Sequence, residues 1–534
     1  MAVDSLRART AVSTEARESD WRLRVMDRLA AIHMTGWGVA GLLGLLMLIS
    51  LALRIGQLRF HFWIDEGISV GIASHPLSEL PHLLREDGSP PLYYLLLHVW
   101  MQIFGHSEEA THELSLVFAM ITVPVAYLSG ASLFNRRTGA YCAVLAAGVP
   151  FITSYAQETR MYTLLLLLSL IVATSFLHAF VYHRRAWIPV FAVSLVATLY
   201  THNWALFLGL MTSVAFLVCV RLARPAERRV LLRDGAIAFG ATALLYLPWL
   251  PTLLYQAQHT GAPWALPPIL WSFTQGGYFI VGGRGAAVAI LLGAGAGLLA
   301  IRNSGLSDRR TRIAVVCLAV LGVGTVVLAW LYSKHTPAWA FRYLAVVVGP
   351  LLLLAGLGMA RGAKLGLVTL LLVSCFWVLD PHTSLLDAKS NVASAAAKIA
   401  ASDNPNTWVI STQPEQVPTL SYYLPKVTHF ETPLGPVSDP RVVDWRNALG
   451  RFEHGSVHHT LVPMLRQLRP GQRLAFVEPV RFTKAPRWMD LIYTNSYYWS
   501  RYLQRDSHLK LMGVFAPYAY EVGLPVRVTL YSVR

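Results

Sequence analysis

Eleven apolar runs occupy residues 36–379, and the connections between them alternate in charge. No other feature constrains the fold as much. The runs are 36–54, 113–133, 140–156, 161–181, 187–201, 203–220, 235–253, 285–301, 313–332, 343–360 and 365–379. A helix needs about 20 apolar residues to cross a hydrocarbon core of ~30 Å, so these runs predict a polytopic α-helical membrane protein. Arg136-Arg137, Arg184-Arg185, the Arg-rich stretches 221–233 and 302–312, and Arg361 with Lys364 fall on every second connection. The first 35 residues, a basic N-terminal segment, share that parity. Basic loops stay in the cytoplasm. The N-terminus is therefore expected inside. The outer segments are then the first loop 55–112, the turns near 157–160 and 201–203, loop 254–284, turn 333–342 and everything after 380. A cleaved signal peptide would also set a basic head before an apolar stretch, but this head is long and no Ala-x-Ala site precedes a soluble stretch.

Composition agrees with this reading. Of 534 residues, 54% are hydrophobic and 14% charged, against about 25% charged in an ordinary soluble domain. That excludes a cytosolic enzyme, a disordered chain and a disulfide scaffold. The net charge of +16 is explained by the cytoplasmic loops and calls for no nucleic acid. Cys142, Cys219, Cys317 and Cys375 stand far apart inside apolar runs, with no CxxC pair, and read as small core residues.

Pro90 to Phe104 is apolar but short for a span, and counting it as one would invert every later loop. It reads as a juxtamembrane or re-entrant helix. Loop 254–284, rich in Pro, Gly and aromatic residues, is a second candidate for dipping into the interface. From about 382 the chain turns to mixed charge, Pro and short β-branched runs. A helix is expected over Ser390–Ala401, with strands at Thr407–Ser411, Arg473–Val477 and Val526–Val533. The expected organisation is a cytoplasmic segment 1–35, a membrane domain 36–381 and an outer α/β domain 382–534.

Charge gathers where it is expensive, at the outer ends of the spans. Asp65-Glu66 follow the first span. Their bland reading is a helix start with Asp65 capping and Trp63 anchored at the headgroups. Gln157, Glu158, Arg160 and Tyr162 crowd a turn with almost no loop, where a polar pocket competes with simple charge neutralisation. His202 lies in the short turn Tyr200-Thr201-His202-Asn203, where a structural role is the ordinary alternative. Arg342 with Tyr343 opens a span on the side opposite to the charge bias. A guanidinium there suits phosphate, which it grips with two parallel hydrogen bonds, while snorkelling is the alternative. Asp87 precedes a rigid Gly88-Ser89-Pro90-Pro91 turn and is either architecture or a contributor to the same outer site. Walker and HExxH motifs do not occur in the sequence.

Taken in order, these segments resemble the GT-C superfamily of integral-membrane glycosyltransferases, in the branch of protein O-mannosyltransferases and the lipid A aminoarabinose transferase. The resemblance is carried by Asp65-Glu66, Ser89-Pro90-Pro91-Leu92-Tyr93-Tyr94 with Phe104-Gly105, Tyr155 through Tyr162, Tyr200-Thr201-His202, Arg342-Tyr343, Asp387-Ala388-Lys389 and Tyr422-Tyr423-Leu424-Pro425. It covers most of the first 425 residues. Relatives usually carry an Arg after the Phe-Gly element, where this chain reads Thr111-His112-Glu113-Leu114. That leaves open which cation organises the first loop.

The resemblance implies a sugar donor linked to polyprenyl phosphate, used on the outer face of the plasma membrane, and a glycan, lipid or protein acceptor. Such a leaving group needs cationic stabilisation, and the attacking hydroxyl needs a base on the opposite face of the sugar. Asp65 is the expected base, with Glu66 orienting it or binding the acceptor. Arg160 and Arg342 are expected at the phosphate, supported by His202 and Tyr162. Asp87, Tyr93, Gln157, Glu158 and Tyr343 are expected to bind substrate. No cofactor is required, although a divalent cation on Asp65 and Glu66 is compatible with the chemistry. The abundance of Ala, Arg, Val and Leu fits a GC-rich actinobacterial genome and so mannose or an arabinose-type pentose. A lipid or sugar transporter would share the many spans but should show paired halves and ionisable groups deep in the spans. A non-catalytic envelope assembly protein would tolerate loss of Asp65.

Overall fold

The computed structural model describes residues 36–303, 309–379, 390–401, 406–480, 486–516 and 525–534. The basic segment 1–35 and the Asp387-Ala388-Lys389 element lie outside the described residues. Every expected apolar run is helical. Among the described residues, eight helical stretches are long and apolar enough to cross a membrane: Gly36–Arg54, Glu108–Leu133, Tyr162–Val181, Ala205–Leu222, Pro225–His259, Arg284–Arg302, Arg309–His335 and Phe341–Arg361. The other three expected runs are shorter. Two of them are the helices Ile188–Leu199 and Ala363–Leu379, and the run 140–156 is divided between Arg136–Gly148 and Pro150–Tyr155.

The division has a local cause. Pro150 has no amide to give Ala146, so the ladder breaks there. Arg54, buried at the end of the first span, reaches across to the freed carbonyls, its Nη2 donating to Ala146 O at 2.8 Å and Ala147 O at 3.0 Å. No local pattern around Arg54 marks it for this role.

Tyr162–Val181 lies at the centre of the bundle and Gly36–Arg54 at its edge, with 89% and 11% of their apolar windows buried. Leu244, Leu291 and Leu292 point outward on other peripheral helices, the surface that lipid covers in a protein of this composition. One expectation about the cysteines fails: Cys375 is exposed on the peripheral helix Ala363–Leu379. Cys219 and Cys317, 98 residues apart in the sequence, meet in the bundle with their sulfurs 3.6 Å apart. Pro90–Phe104 contains the 13-residue helix Leu92–Phe104, shorter than a span. The expected loop 254–284 is partly helical, over Leu250–His259 and Trp271–Val281.

The C-terminal part forms a six-stranded sheet: β1 Thr407–Ser411, β2 His429–Thr432, β3 Gly435–Pro436, β4 Arg473–Pro479, β5 Leu509–Phe515 and β6 Val526–Val533. The spatial order is β3-β2-β1-β4-β6-β5, with β1 parallel to β2 and β4 and the other pairs antiparallel. At the central strands β1 and β4 both faces are covered, and successive side chains go to opposite faces. Val409, Ala475 and Val528 pack on one side with the helix Val392–Ala400, while Ile410, Leu474 and Phe476 pack on the other with Trp499.

This sheet unit seats directly on the first loop. The short helix Ile64–Ala73 carries Gly67 and Gly71 one turn apart. A Cβ at Gly67 would overlap Thr419, and one at Gly71 would overlap the Arg441 carbonyl. Only glycine allows that approach. The seat is fastened by His75 Nε2 to Asp439 Oδ2 at 2.6 Å and by the Phe62 amide donating to Tyr423 Oη at 2.8 Å.

Candidate active site

The helix Ile64–Ala73 begins at Trp63, whose carbonyl accepts the amides of Glu66 and Gly67. Asp65 therefore stands in the first turn and is not the cap, contrary to the bland reading. Two successive residues on a helix point about 100° apart, so the acidic pair diverges. Asp65 faces a cavity. Glu66 turns into the protein.

The cavity, about 400 Å³, lies between the bundle and the sheet unit. Six of the residues expected from the sequence line it: Asp65, Asp87, Arg160, His202, Arg342 and Tyr343. Arg342 Nη2 is 3.4 Å and Arg160 Nη2 3.9 Å from Asp65 Oδ2. Arg160 is locked from behind, its Nη1 donating to Ser69 Oγ at 2.8 Å and to the Asp65 carbonyl at 3.1 Å. Arg342 is framed by rings, its guanidinium carbon 5.0 Å from the centroid of Trp264 and 5.7 Å from that of Trp63. Among the described residues, Nε of both arginines is buried without a hydrogen-bond partner.

Asp87 closes one side of the cavity at the end of the helix Leu80–Asp87. Burial pushes its carboxyl up to about 6, and Asp65 adds to that, while a hydrogen bond from Ser89 and the field of Arg160 pull back. His202 is held down to about 3 by burial and by Arg160 and Arg342. Its Nδ1 accepts the Trp204 amide at 3.0 Å, which leaves Nε2–H as the donor. A neutral imidazole therefore offers one proton donor to the cavity at physiological pH.

Tyr162 supports the cavity without lining it. Arg160 Nη2 is 3.5 Å from its hydroxyl, and its ring lies against His202 and Tyr343. The remaining four expected substrate contacts stand elsewhere. Glu66 is buried, with Oε1 2.6 Å from His112 Nε2 and accepting the Thr159 amide at 2.8 Å. Gln157 holds the first loop instead, its Oε1 accepting the Gln57 amide at 2.8 Å. Glu158 is buried in the turn behind Arg160. Tyr93 packs inside, and its neighbour Tyr94 takes the place at the cavity, because the two alternate around the helix Leu92–Phe104. For Glu66 and Tyr93 the reason is geometric: each sits on a helix of which one face reaches the cavity, and the neighbours Asp65 and Tyr94 hold that face.

Sequence reasoning missed other lining residues. Trp445 comes from the sheet unit, and Gln256, Thr260 and Trp264 come from the expected outer loop. None carries a signal in isolation, since each is brought to the cavity by tertiary packing alone. His112, buried behind the cavity against Glu66, did carry a signal, as a residue where the resemblance departs from its pattern.

As for a divalent cation, Asp65 faces two guanidinium groups and Glu66 is taken by His112. Among the described residues no group of three His, Cys, Asp or Glu side chains converges. This donor set does not fit a hard cation, which takes several oxygens.

Residues 88–254, short of half the chain, match the family model of dolichyl-phosphate-mannose-protein mannosyltransferases. The solved structure of ArnT from Cupriavidus metallidurans bound to undecaprenyl phosphate superposes with a TM-score of 0.56 at 12% identity, over 93% of this chain and 98% of that one. The chain has the GT-C fold. The same fold relates it to the Archaeoglobus fulgidus oligosaccharyltransferase, with a TM-score of 0.51 at 11% identity over 73% of this chain and 64% of the other. The mycobacterial arabinofuranosyltransferase AftD gives 0.51 at 14% identity, over 94% of this chain but 40% of that GT-C protein. No curated protein sequence matches the chain significantly. The fold and the multi-span membrane architecture expected from the sequence are thus borne out.

Proposed function

We infer that the chain is a membrane glycosyltransferase that moves a sugar from a polyprenyl-phosphate donor to a cell-envelope acceptor, with inversion. The observation that carries this reading is a carboxylate, Asp65, between two guanidinium groups at the wall of a cavity beneath the sheet unit. A donor phosphate competes with Asp65 for Arg160 and Arg342, and gains charge as the sugar departs. Its arrival takes the arginines from Asp65 and leaves that carboxylate free to accept the proton of the attacking hydroxyl. His202 Nε2–H and the unpartnered arginine Nε groups are further donors for phosphate or sugar oxygens. The undecaprenyl phosphate named for the ArnT structure supports a lipid-linked donor here. The sugar is mannose or an arabinose-type pentose, and the site faces outward from the plasma membrane with the N-terminus inside, by the charge of the loops.

One observation favours a second assignment of the base. Asp87 lines the same cavity, and its carboxyl is raised to about 6, nearer the working range of a general base. In that version Asp65 acts as the ionic anchor of the arginine pair. A radiolabelled transfer assay with a panel of polyprenyl-phosphate sugars, on purified protein in lipid, tests the function. Transfer from at least one donor is expected. Tight donor binding with no transfer to any acceptor would leave a transporter or an assembly protein.

A further inference from the structure

A second cavity of about 300 Å³ opens within the sheet unit, between the β2–β3 turn and the helical segments that follow Asn447. Glu431 on β2 lines it and is 6% exposed. Its Oε2 is buried without a hydrogen-bond partner among the described residues. A carboxylate in that state is costly unless something supplies a proton donor. Arg451, His454, His459 and Gln467 stand around it, with Pro463 and Met464 as an apolar floor. The wall is drawn close on purpose of packing: a Cβ at Gly455 would overlap the Pro433 carbonyl.

The lining selects a ligand class. Guanidinium, imidazole and amide groups donate, while the carboxylate and the amide oxygen accept. A phosphate or carboxylate ligand would meet the buried Glu431 charge. A hydroxyl satisfies both sides, since it gives its proton to one group and accepts from another. The apolar floor suits the C–H face of a sugar ring. Burial pushes Glu431 up to about 7, so that near neutrality the group can also donate.

One short segment joins the two cavities. Trp445 lines the cavity of Asp65, and Arg451 and His454 follow it in the same segment, largely as the helix Ala448–Glu453. Trp445 and Arg451 are six residues apart, so the linings of the two cavities are joined by about two turns of chain. The segment between them is clamped: Arg446 pairs with Asp444 at 2.9 Å and with Glu86 at 2.7 Å, and Arg451 pairs with Asp444 at 3.4 Å. Glu86 is the neighbour of Asp87.

The geometry points to this second cavity as a subsite for a neutral, hydroxyl-rich glycan, holding the distal part of an acceptor whose reacting hydroxyl reaches the cavity of Asp65. The word acceptor rests on the glycosyltransferase reading; glycan binding does not.

The test uses the full chain in lipid nanodiscs and neutral manno- and arabino-oligosaccharides, with binding measured by ligand-observed NMR in the absence of donor. The parent is expected to bind at least one series. Gln467→Trp fills the mouth of the cavity from an exposed position and should weaken binding about tenfold or more, and Glu431→Gln several-fold. In transfer assays KM for a long acceptor should rise by the same factor at unchanged kcat, with a monosaccharide glycoside unaffected. The subsite is overturned if no oligosaccharide binds, if Gln467→Trp binds like the parent, or if an acidic peptide or a phospholipid headgroup competes where the glycan does not. Glycan binding lost in Gln467→Trp, with transfer absent throughout, would instead strike the transferase reading and leave the subsite standing.

Discussion

His112 Nε2 lies 2.6 Å from Glu66 Oε1, with both side chains nearly out of reach of solvent, while His112 Nδ1 lies 2.7 Å from the Leu58 carbonyl. A carbonyl only accepts, so Nδ1 carries a proton, and the bond to Glu66 needs one more, shared between Nε2 and Oε1. Whichever partner carries that proton, His112 is the side chain that meets Glu66 at the first loop.

The first prediction follows from that pair. His112→Ala leaves a buried carboxylate without this partner and should destabilise the protein by about 3–5 kcal/mol. His112→Arg restores a cation and should recover most of the loss. Thermal unfolding of the three proteins in one detergent checks this. Equal melting temperatures would mean that Glu66 does not depend on His112.

A second prediction concerns the arginines. Arg342→Lys and Arg160→Lys keep the charge but lose the planar fork that grips phosphate with two bonds. Donor KM should rise about tenfold or more in each, measured with the polyprenyl-phosphate sugar that the parent uses. Unchanged donor affinity and turnover in both would remove them from the phosphate site.

The cost of charge in a membrane explains how much of this site was legible. Asp65, Arg160, His202 and Arg342 stood out because ionisable groups at the ends of spans are expensive without a purpose. Which neighbour faces the cavity was not legible, and Tyr93 and Tyr94 show why: the choice depends on the rotation of a helix in the bundle. In the sheet, β1 and β6 occur at the expected residues because β-branched runs mark them. β5 was missed because it is a mixed edge strand with an irregular register near Gly513. The approach of Trp445 to Asp65 spans most of the chain, and no local pattern encodes it.

A third prediction addresses metal. The cations at Asp65 are guanidinium groups, so transfer should survive saturating EDTA within about twofold, and added Mg²⁺ or Mn²⁺ should not raise it. Loss of activity on chelation, with recovery on adding one metal, would show that the donor phosphate brings a cation into the site.

The orientation gives a fourth. Cysteines placed at 136, 228 and 309 should resist an impermeant thiol reagent in intact cells, and one at 450 should react, because basic connections stay inside. All four positions are exposed on the protein surface. Labelling of 136 from outside would mean that Pro90–Phe104 crosses the membrane and that the later loops are inverted.

The last prediction separates the two carboxylates of the cavity. Asp65 is positioned in a helix turn beside Arg160 and Arg342, and an amide in its place should leave the fold intact. If Asp65 takes the proton, Asp65→Asn loses about 10²–10⁴-fold in turnover, because an amide cannot accept it. Asp87 carries a different signature. Its carboxyl is raised from 3.8 to about 6 in the folded protein, so the fold favours the neutral form. That contribution to stability is fully present below pH 3.8 and is lost as pH rises through about 6. Asp87→Asn should therefore flatten the stability profile over that window. If Asp87 were the base, kcat would climb through pH 6 and the climb would vanish in Asp87→Asn along with most activity. With Asp65 as the base, Asp87→Asn keeps measurable transfer, and Asp65→Asn retains donor binding while nearly all transfer is lost. Turnover of Asp65→Asn within a few-fold of the parent, together with an inactive Asp87→Asn, would move the base from the first carboxylate to the second.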